Sequence, residues 1–271
     1  MENISQLVRA RRSVRTFDAR PLSSENLERL QSFMADIENP CGIPVEFRLL
    51  HAKEQGLKCP VVVGTDLFVA GKVPRVSGAE LAFGYSMETL VLYAQSLGIG
   101  TVWIGGTMDR AAFERAAELR EDQCMPCVSP LGYPAAQLSL RESVMRKGAR
   151  ADSRLPFSEL FFRGDFQTPL EENAAGKLRD ALEAVRWAPS AVNRQPWRAV
   201  VTDTAVHFYK KTSKGFVSRA TGDLQKVDVG IALCHFALTA AESGLALRFS
   251  TQAPDIPAAA DTEYIASYLL G

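Results

Sequence analysis

Two stretches of the chain carry apolar residues at helical spacing and stay apolar nearly all round. Gly84 to Gly98 reads GYSMETLVLYAQSLG, and Gly230 to Gly244 reads GIALCHFALTAAESG. In the first, Met87, Leu90, Val91, Ala94 and Leu97 share one face; shifted by 146 they become Leu233, Phe236, Ala237, Ala240 and Ser243, and four of the five places stay apolar. Leu92, Tyr93 and Leu238 lie off that face, which predicts two helices buried at the centre of the molecule, rich enough in small residues to pack on each other. A second pair lies upstream, where PLSSENLERLQSFMADI from Pro21 and PLEENAAGKLRDALEAV from Pro169 are both amphipathic and offset by 148. The later one reads as a helix opened by a capping box, Thr168 to Glu171, with Pro169 at its first position. Each is followed by a turn and an apolar run suited to a half-buried strand, VEFRLLHA from Val45 and WRAVVTD from Trp197. The first half adds GIGTVWIGG, a strand ending in glycines.

Helix, loop, strand and buried helix thus occur twice in the same order, and a duplicated α+β unit accounts for this better than one non-repetitive α+β domain. The expected boundaries are a first half at 1–140, a basic linker at 141–156 and a second half at 157–271. The stretch RESVMRKGARADSR, Arg141 to Arg154, holds five basic and two acidic residues and is the one linker-like segment.

Composition narrows the class. A chain of 271 residues suits one domain or two intimate ones, and 31 basic against 31 acidic side chains give no electrostatic footprint for nucleic acid. No apolar run approaches the roughly 18 residues of a membrane span, and MENISQLVRARR lacks the apolar core of a secretory signal. A cytoplasmic protein without a membrane partner is expected. Five cysteines at irregular spacing argue against a disulfide scaffold. Cys124 and Cys127 form a CxxC with no second pair and no nearby histidine, so they read as two thiols on or near a strand rather than as a metal or redox site. No side chain stands out as an acid, base or nucleophile. His235, inside the second buried helix, reads as a satisfied core residue.

RRSVRTF at Arg11 to Phe17, GYSMETLVLYAQSLGIGTVWIGG, SPLGYP and WAPSAVNRQPW at Trp187 to Trp197 together resemble the FMN-dependent nitroreductase family, and its single-chain fused variant best. The resemblance covers most of the chain. It implies a nitroreductase-like α+β fold in which two tandem half-repeats form an intramolecular pseudo-dimer, monomeric because one chain mimics a dimer. It also implies FMN as cofactor, NADH or NADPH as electron donor, and a nitroaromatic or quinone-like small molecule as acceptor. A flavin-binding protein for storage or sensing is the alternative. Ordinary members are homodimers with two flavin sites, each built from both subunits. Here the first half keeps the basic opening while its counterpart SELFFRGDFQTP retains only Arg163, and the second half keeps PSAVNRQP where the first has ENPCGIP. The losses are complementary, so one site is expected.

An FMN phosphate calls for forked guanidinium groups and a hydroxyl. By the resemblance Arg11, Ser13 and Arg15 meet it, with Arg12 on the opposite side of an extended stretch; without the resemblance this is a solvated, arginine-rich helix end. Lys147, Arg150 and Arg154 stand where family members bring a further basic residue, Arg154 being favoured; a solvated linker carries the same charges. Pro189, Ser190, Ala191, Asn193 and Gln195 suit the polar edge of a flavin ring, or simply form a helix stop and turn. Ile104, Gly105 and Gly106 would supply backbone donors near flavin N5, or form a glycine-rich turn. Trp197 reads as core.

Overall fold

A computed structural model describes residues 1–137, 139–148 and 153–271. The first half contains α1 (Ile4–Ala10), α2 (Ser24–Ala35), β1 (Glu46–His51), β2 (Leu67–Pro74), α3 (Ala79–Ser96), α4 (Arg110–Ala116), β3 (Gln123–Cys124) and β4 (Val128–Leu131). Then come α5 (Leu140–Gly148), α6 (Phe157–Leu160), β5 (Phe161–Arg163), α7 (Arg179–Trp187), β6 (Trp197–Val201), β7 (Ala205–Lys211), β8 (Val217–Ser218), β9 (Gly222–Asp223), α8 (Leu224–Glu242), β10 (Leu247–Ser250) and β11 (Thr262–Leu270). This is an α+β architecture. One sheet has β2 paired antiparallel with β1, β3 and β4; the other runs β10-β11-β7-β6-β5, antiparallel except where β5 joins β6 in parallel.

The two buried helices are α3 and α8, and they lie against each other as their small residues predict. They also stop alike. Gly98 and Gly244 both take the left-handed backbone (φ 72° and 73°) that follows a helix end. Ile99 N–H donates to Ala94 O and Leu245 N–H to Ala240 O, the same bond 146 residues on.

Contacts across the seam repeat with that offset. A Cβ on Gly84 would overlap Val227 O and stand 3.1 Å from Gly230 Cα; a Cβ on Gly230 would overlap Leu81 O and stand 3.0 Å from Gly84 Cα. Residue i touches j and the counterpart of j touches the counterpart of i, which is the rule for a two-fold interface. The same rule links Glu88 with His235 and Thr89 with Cys234. One hydrophobic core runs through both halves, from Leu30, Phe83 and Leu90 to Leu182, Leu233 and Phe236. Among the described helices α8 alone is long and apolar enough to cross a membrane, and it lies mostly inside the protein.

Two expectations need correcting. No helix starts at Thr168. Thr168 O accepts from Arg163 N–H, and Leu170 N–H donates to Phe161 O, so Pro169 closes a hairpin onto β5; short 3₁₀ turns follow, and α7 begins only at Arg179. Pairing with the sheet wins over the local capping signal. The segment at 141–156 opens in helix α5, which leaves its expected place between the halves untouched. GIGTVWIGG forms isolated bridges, Ser13–Thr101, Gly100–Gly132 and Ile104–Val128, rather than a continuous strand.

Candidate functional site

The basic opening is extended, as its alternation requires. Arg11 ends α1 with φ −60° and ψ 129°, and Ser13 bridges Thr101 in parallel, so the opening lies beside the segment that leads to Gly105. Arg11 turns inward: its side chain is 6% exposed and its Nε stands 3.7 Å from Glu88 Oε1. Arg12 is exposed; Ser13 and Arg15 are half-buried. The Nε atoms of Arg11, Arg15 and Arg154 are all shielded from solvent. Lys147 is exposed on α5, and Arg150 lies outside the described residues.

Ile104 is buried and spends both backbone groups on Val128. Its N–H is thus committed to the sheet and gives a flavin no donor. Among the described residues the N–H groups of Gly105 and Gly106 donate no hydrogen bond, and nothing stands within 4 Å of a Cβ placed on Gly106. Flat ligands can approach such a backbone closely.

The polar loop after α7 is strained. Val192, Asn193 and Gln195 have φ of 46°, 57° and 50°, a region that costs a β-branched residue most. Its side chains largely knit the loop itself. Gln195 N–H donates to Ser190 Oγ (2.8 Å), Gln195 Oε1 accepts from Leu155 N–H (2.9 Å), and Asn193 Nδ2 donates to Ser153 O (3.1 Å). Gln195 and Asn193 therefore tie the loop to the end of the basic segment. Arg154 and Arg9 both lie over the Trp187 ring, at 4.9 and 4.5 Å, two residues before Pro189. So α1, Arg154 and the loop meet at one tryptophan.

Two buried carboxyl groups that sequence reasoning missed join these pieces. Asp228 Oδ1 accepts from Ala191 N–H at 3.0 Å. One turn earlier on the same face of α8, Leu224 approaches Gly105, whose Cβ would stand 3.7 Å from Leu224 Cδ1 and 3.4 Å from Cys127 Sγ. The glycine segment of the first half and the polar loop of the second thus meet on α8. Glu88, fully buried on α3, accepts from Trp103 Nε1–H (2.9 Å) and faces His235 Nε2 (2.9 Å) as well as Arg11. His235 Nδ1 must donate, because its partner is the Ala184 carbonyl (2.9 Å), so one proton lies between Nε2 and Glu88 Oε1. A carboxyl group inside an otherwise apolar helix, GYSMETLVLY, was the available signal. Cys124 and Cys127 are buried at the edge of β3 and before β4, and burial pushes the Cys127 thiol up to about 12.

The comparisons agree with this architecture. Residues 3–240 match the family model described as "Putative TM nitroreductase". A structure described as "a putative nitroreductase" from Thermotoga maritima MSB8 superposes with a TM-score of 0.61 at 20% identity, over 99% of this chain and 93% of that one. A nitroreductase with bound FMN from Bacteroides fragilis NCTC 9343 gives a TM-score of 0.42 at 19% identity, over 52% of this chain and 92% of that one. No curated protein matches in sequence. With the family model covering most of its length, the chain belongs to the nitroreductase family.

Proposed function

We propose that the chain is an FMN-dependent oxidoreductase with one flavin site between its halves, taking electrons from NADH or NADPH and passing them to a nitroaromatic or quinone-like acceptor. The observation that carries this reading is the meeting of the Gly105 segment and the Ala191 loop on α8, with Arg11 at the Glu88 carboxyl that binds Trp103 and Arg154 over Trp187 at the foot of the loop.

The residues fit the cofactor. Arg15, Arg154 and the hydroxyl of Ser13 would supply charge-assisted donors for a phosphate, and Arg11 stands at Glu88. The uncommitted N–H groups of Gly105 and Gly106 would be free to donate to a ring lying against this bare backbone. Ser190 and Pro189 shape the other wall, while Gln195 and Asn193 hold that wall in place. Bound flavin supplies the hydride chemistry; the protein orients it and excludes water. Arg12 and Lys147, both exposed, serve at most the entrance.

The counterpart elements are used otherwise, which supports a single site. Arg163 Nη2 donates to Ala174 O, and Asn39 in ENPCGIP holds Ile43 O and Ser86 Oγ. Titration of the apoprotein with FMN, followed by flavin fluorescence, is expected to saturate at one FMN per chain. NADH or NADPH should then bleach the flavin and an acceptor should restore it. Saturation at two contradicts the single site; bound flavin that neither nicotinamide reduces points to storage or sensing; no uptake removes flavin from the reading.

A further inference from the structure

We propose that Asp228 is a positioning residue that seats the strained 190–195 loop through the Ala191 N–H, and that it does so as an uncharged acid, so the loop is held without a negative charge beside the ring. The inference rests on the proposed flavin site for its functional meaning, but its two physical parts stand on the geometry of the chain alone.

The first part is the anchor. Three left-handed residues follow Ala191, and such a loop persists only where its surroundings over-determine it. Both oxygens of Asp228 share the Ala191 N–H, at 3.0 and 3.2 Å. At the other end Gln195 N–H is bound by Ser190 Oγ and its side chain by Leu155 N–H. The position 146 residues earlier on α3 is Ala82, which has no hydrogen-bonding side chain, and ENPCGIP in the first half is held from Ser86 instead. The anchoring carboxyl thus occurs only in the half that carries the loop.

The second part is the charge. Asp228 is 3% exposed, and one N–H shared by two oxygens is far too little to replace the hydration of a carboxylate. Among the described residues no cation pairs with it. The neighbouring charges are spent elsewhere: Lys210 on Asp223 (2.6 Å) and Glu263, Lys226 on Glu263 (2.8 Å), and Arg110 on the carbonyls of Gly105, Met125 and Pro126. The Cys127 thiol on the other side is itself neutral, and Asp223 one turn away only adds repulsion. Burial accordingly pushes the Asp228 carboxyl well above the usual carboxylate range. A neutral group matters at this place because a fixed negative charge beside a flavin opposes the electrons it is meant to receive.

Two variants of the full-length apoprotein separate the parts. Asp228→Asn keeps an uncharged acceptor for Ala191 N–H; Asp228→Leu keeps the volume and removes the acceptor. Hydrogen exchange at the Ala191 amide should stay as slow as wild type in Asp228→Asn and speed up about tenfold in Asp228→Leu, the equivalent of one lost hydrogen bond. Equal protection in both variants overturns the anchor. Wild type should lose stability relative to Asp228→Asn as pH rises from about 4, because the unfolded chain ionises this group first. A stability difference that does not change with pH overturns the neutral acid. FMN affinity then tests the functional meaning: Asp228→Asn should bind as wild type and Asp228→Leu about tenfold more weakly. Failure of wild type to bind FMN sinks the flavin reading and leaves the exchange and pH results standing.

Discussion

Gly84→Ala is the sharpest perturbation of the fold, because the glycine faces backbone rather than a side chain that can turn away. The added Cβ would stand 2.9 Å from the Val227 carbonyl carbon and 3.1 Å from Gly230 Cα. Ordinary carbon contacts lie at about 3.5–4.0 Å and the Val227 carbonyl oxygen is nearer still, so α3 and α8 must part by on the order of 1 Å. A gap of that size forfeits about a quarter to a half of each dispersion well, and a buried leucine makes roughly 40–60 contacts worth about 0.1–0.2 kcal/mol each. Overpacking a tight core typically costs about 1–3 kcal/mol and more where the clash is with backbone that cannot turn away, so the loss is roughly 3–5 kcal/mol, against a gain of about 1 kcal/mol from replacing glycine in a helix. The net expectation is a destabilisation of about 2–4 kcal/mol, near the top of the range for single substitutions. In urea, with m of about 3 kcal/mol/M, the midpoint should fall by roughly 1 M. Gly230→Ala should cost about the same, since its contacts are the counterparts 146 residues on, and the double variant should cost less than the sum because one separation relieves both clashes. A midpoint for Gly84→Ala at or above wild type with unchanged m, or a fully additive double variant, would refute the close crossing of the two helices.

Other tests address the buried polar groups. Glu88→Ala strips the partner from His235 and from Trp103 Nε1–H beside Arg11, and should cost about 3–5 kcal/mol, whereas Glu88→Gln keeps an acceptor for the indole and should cost clearly less; equal stability of Glu88→Ala and wild type in urea would show that the cluster contributes nothing. His207 is buried against Ser267 Oγ (2.7 Å), and burial holds its imidazole below the usual histidine range. The folded chain therefore takes up the proton later than the unfolded one, so stability is complete above about pH 6.5 and falls as the pH drops through the folded value. His207→Gln should flatten that acid limb in a thermal melt series; an unchanged limb assigns it to other groups. Glu183 is drawn the other way: burial opposes its ionisation, but hydrogen bonds from Arg186 and Trp187 and the charge of Arg9 outweigh it. Its stabilisation is present above about pH 4.5 and fades with acid, so Glu183→Gln should cost stability at pH 7 and little at pH 3; an equal cost at both would exclude the ionic contribution.

The periodicity of the chain determined by itself that two equivalent helices lie buried and face each other, because helical spacing, small residues and a stopping glycine are local properties that need no partner to be read. The extended basic opening was legible for the same reason: alternation of Arg11, Ser13 and Arg15 has one simple geometry. What only the tertiary structure decided is where polar groups spend their hydrogen bonds. Thr168 satisfies a capping pattern on paper, yet Phe161 and Arg163 offered its segment sheet pairing, and the helix moved down to Arg179. Gln195 and Asn193 have the right chemistry for a ligand but found Leu155 and Ser153 first. Glu88 and His235 acquired their roles from each other, 147 residues apart, through a contact that exists only once the two halves close, and Asp228 from Ala191, 37 residues away, once α8 packs against the loop. Hydrophobic pattern is a property of a segment, whereas satisfaction of a buried polar atom is a property of the packed whole.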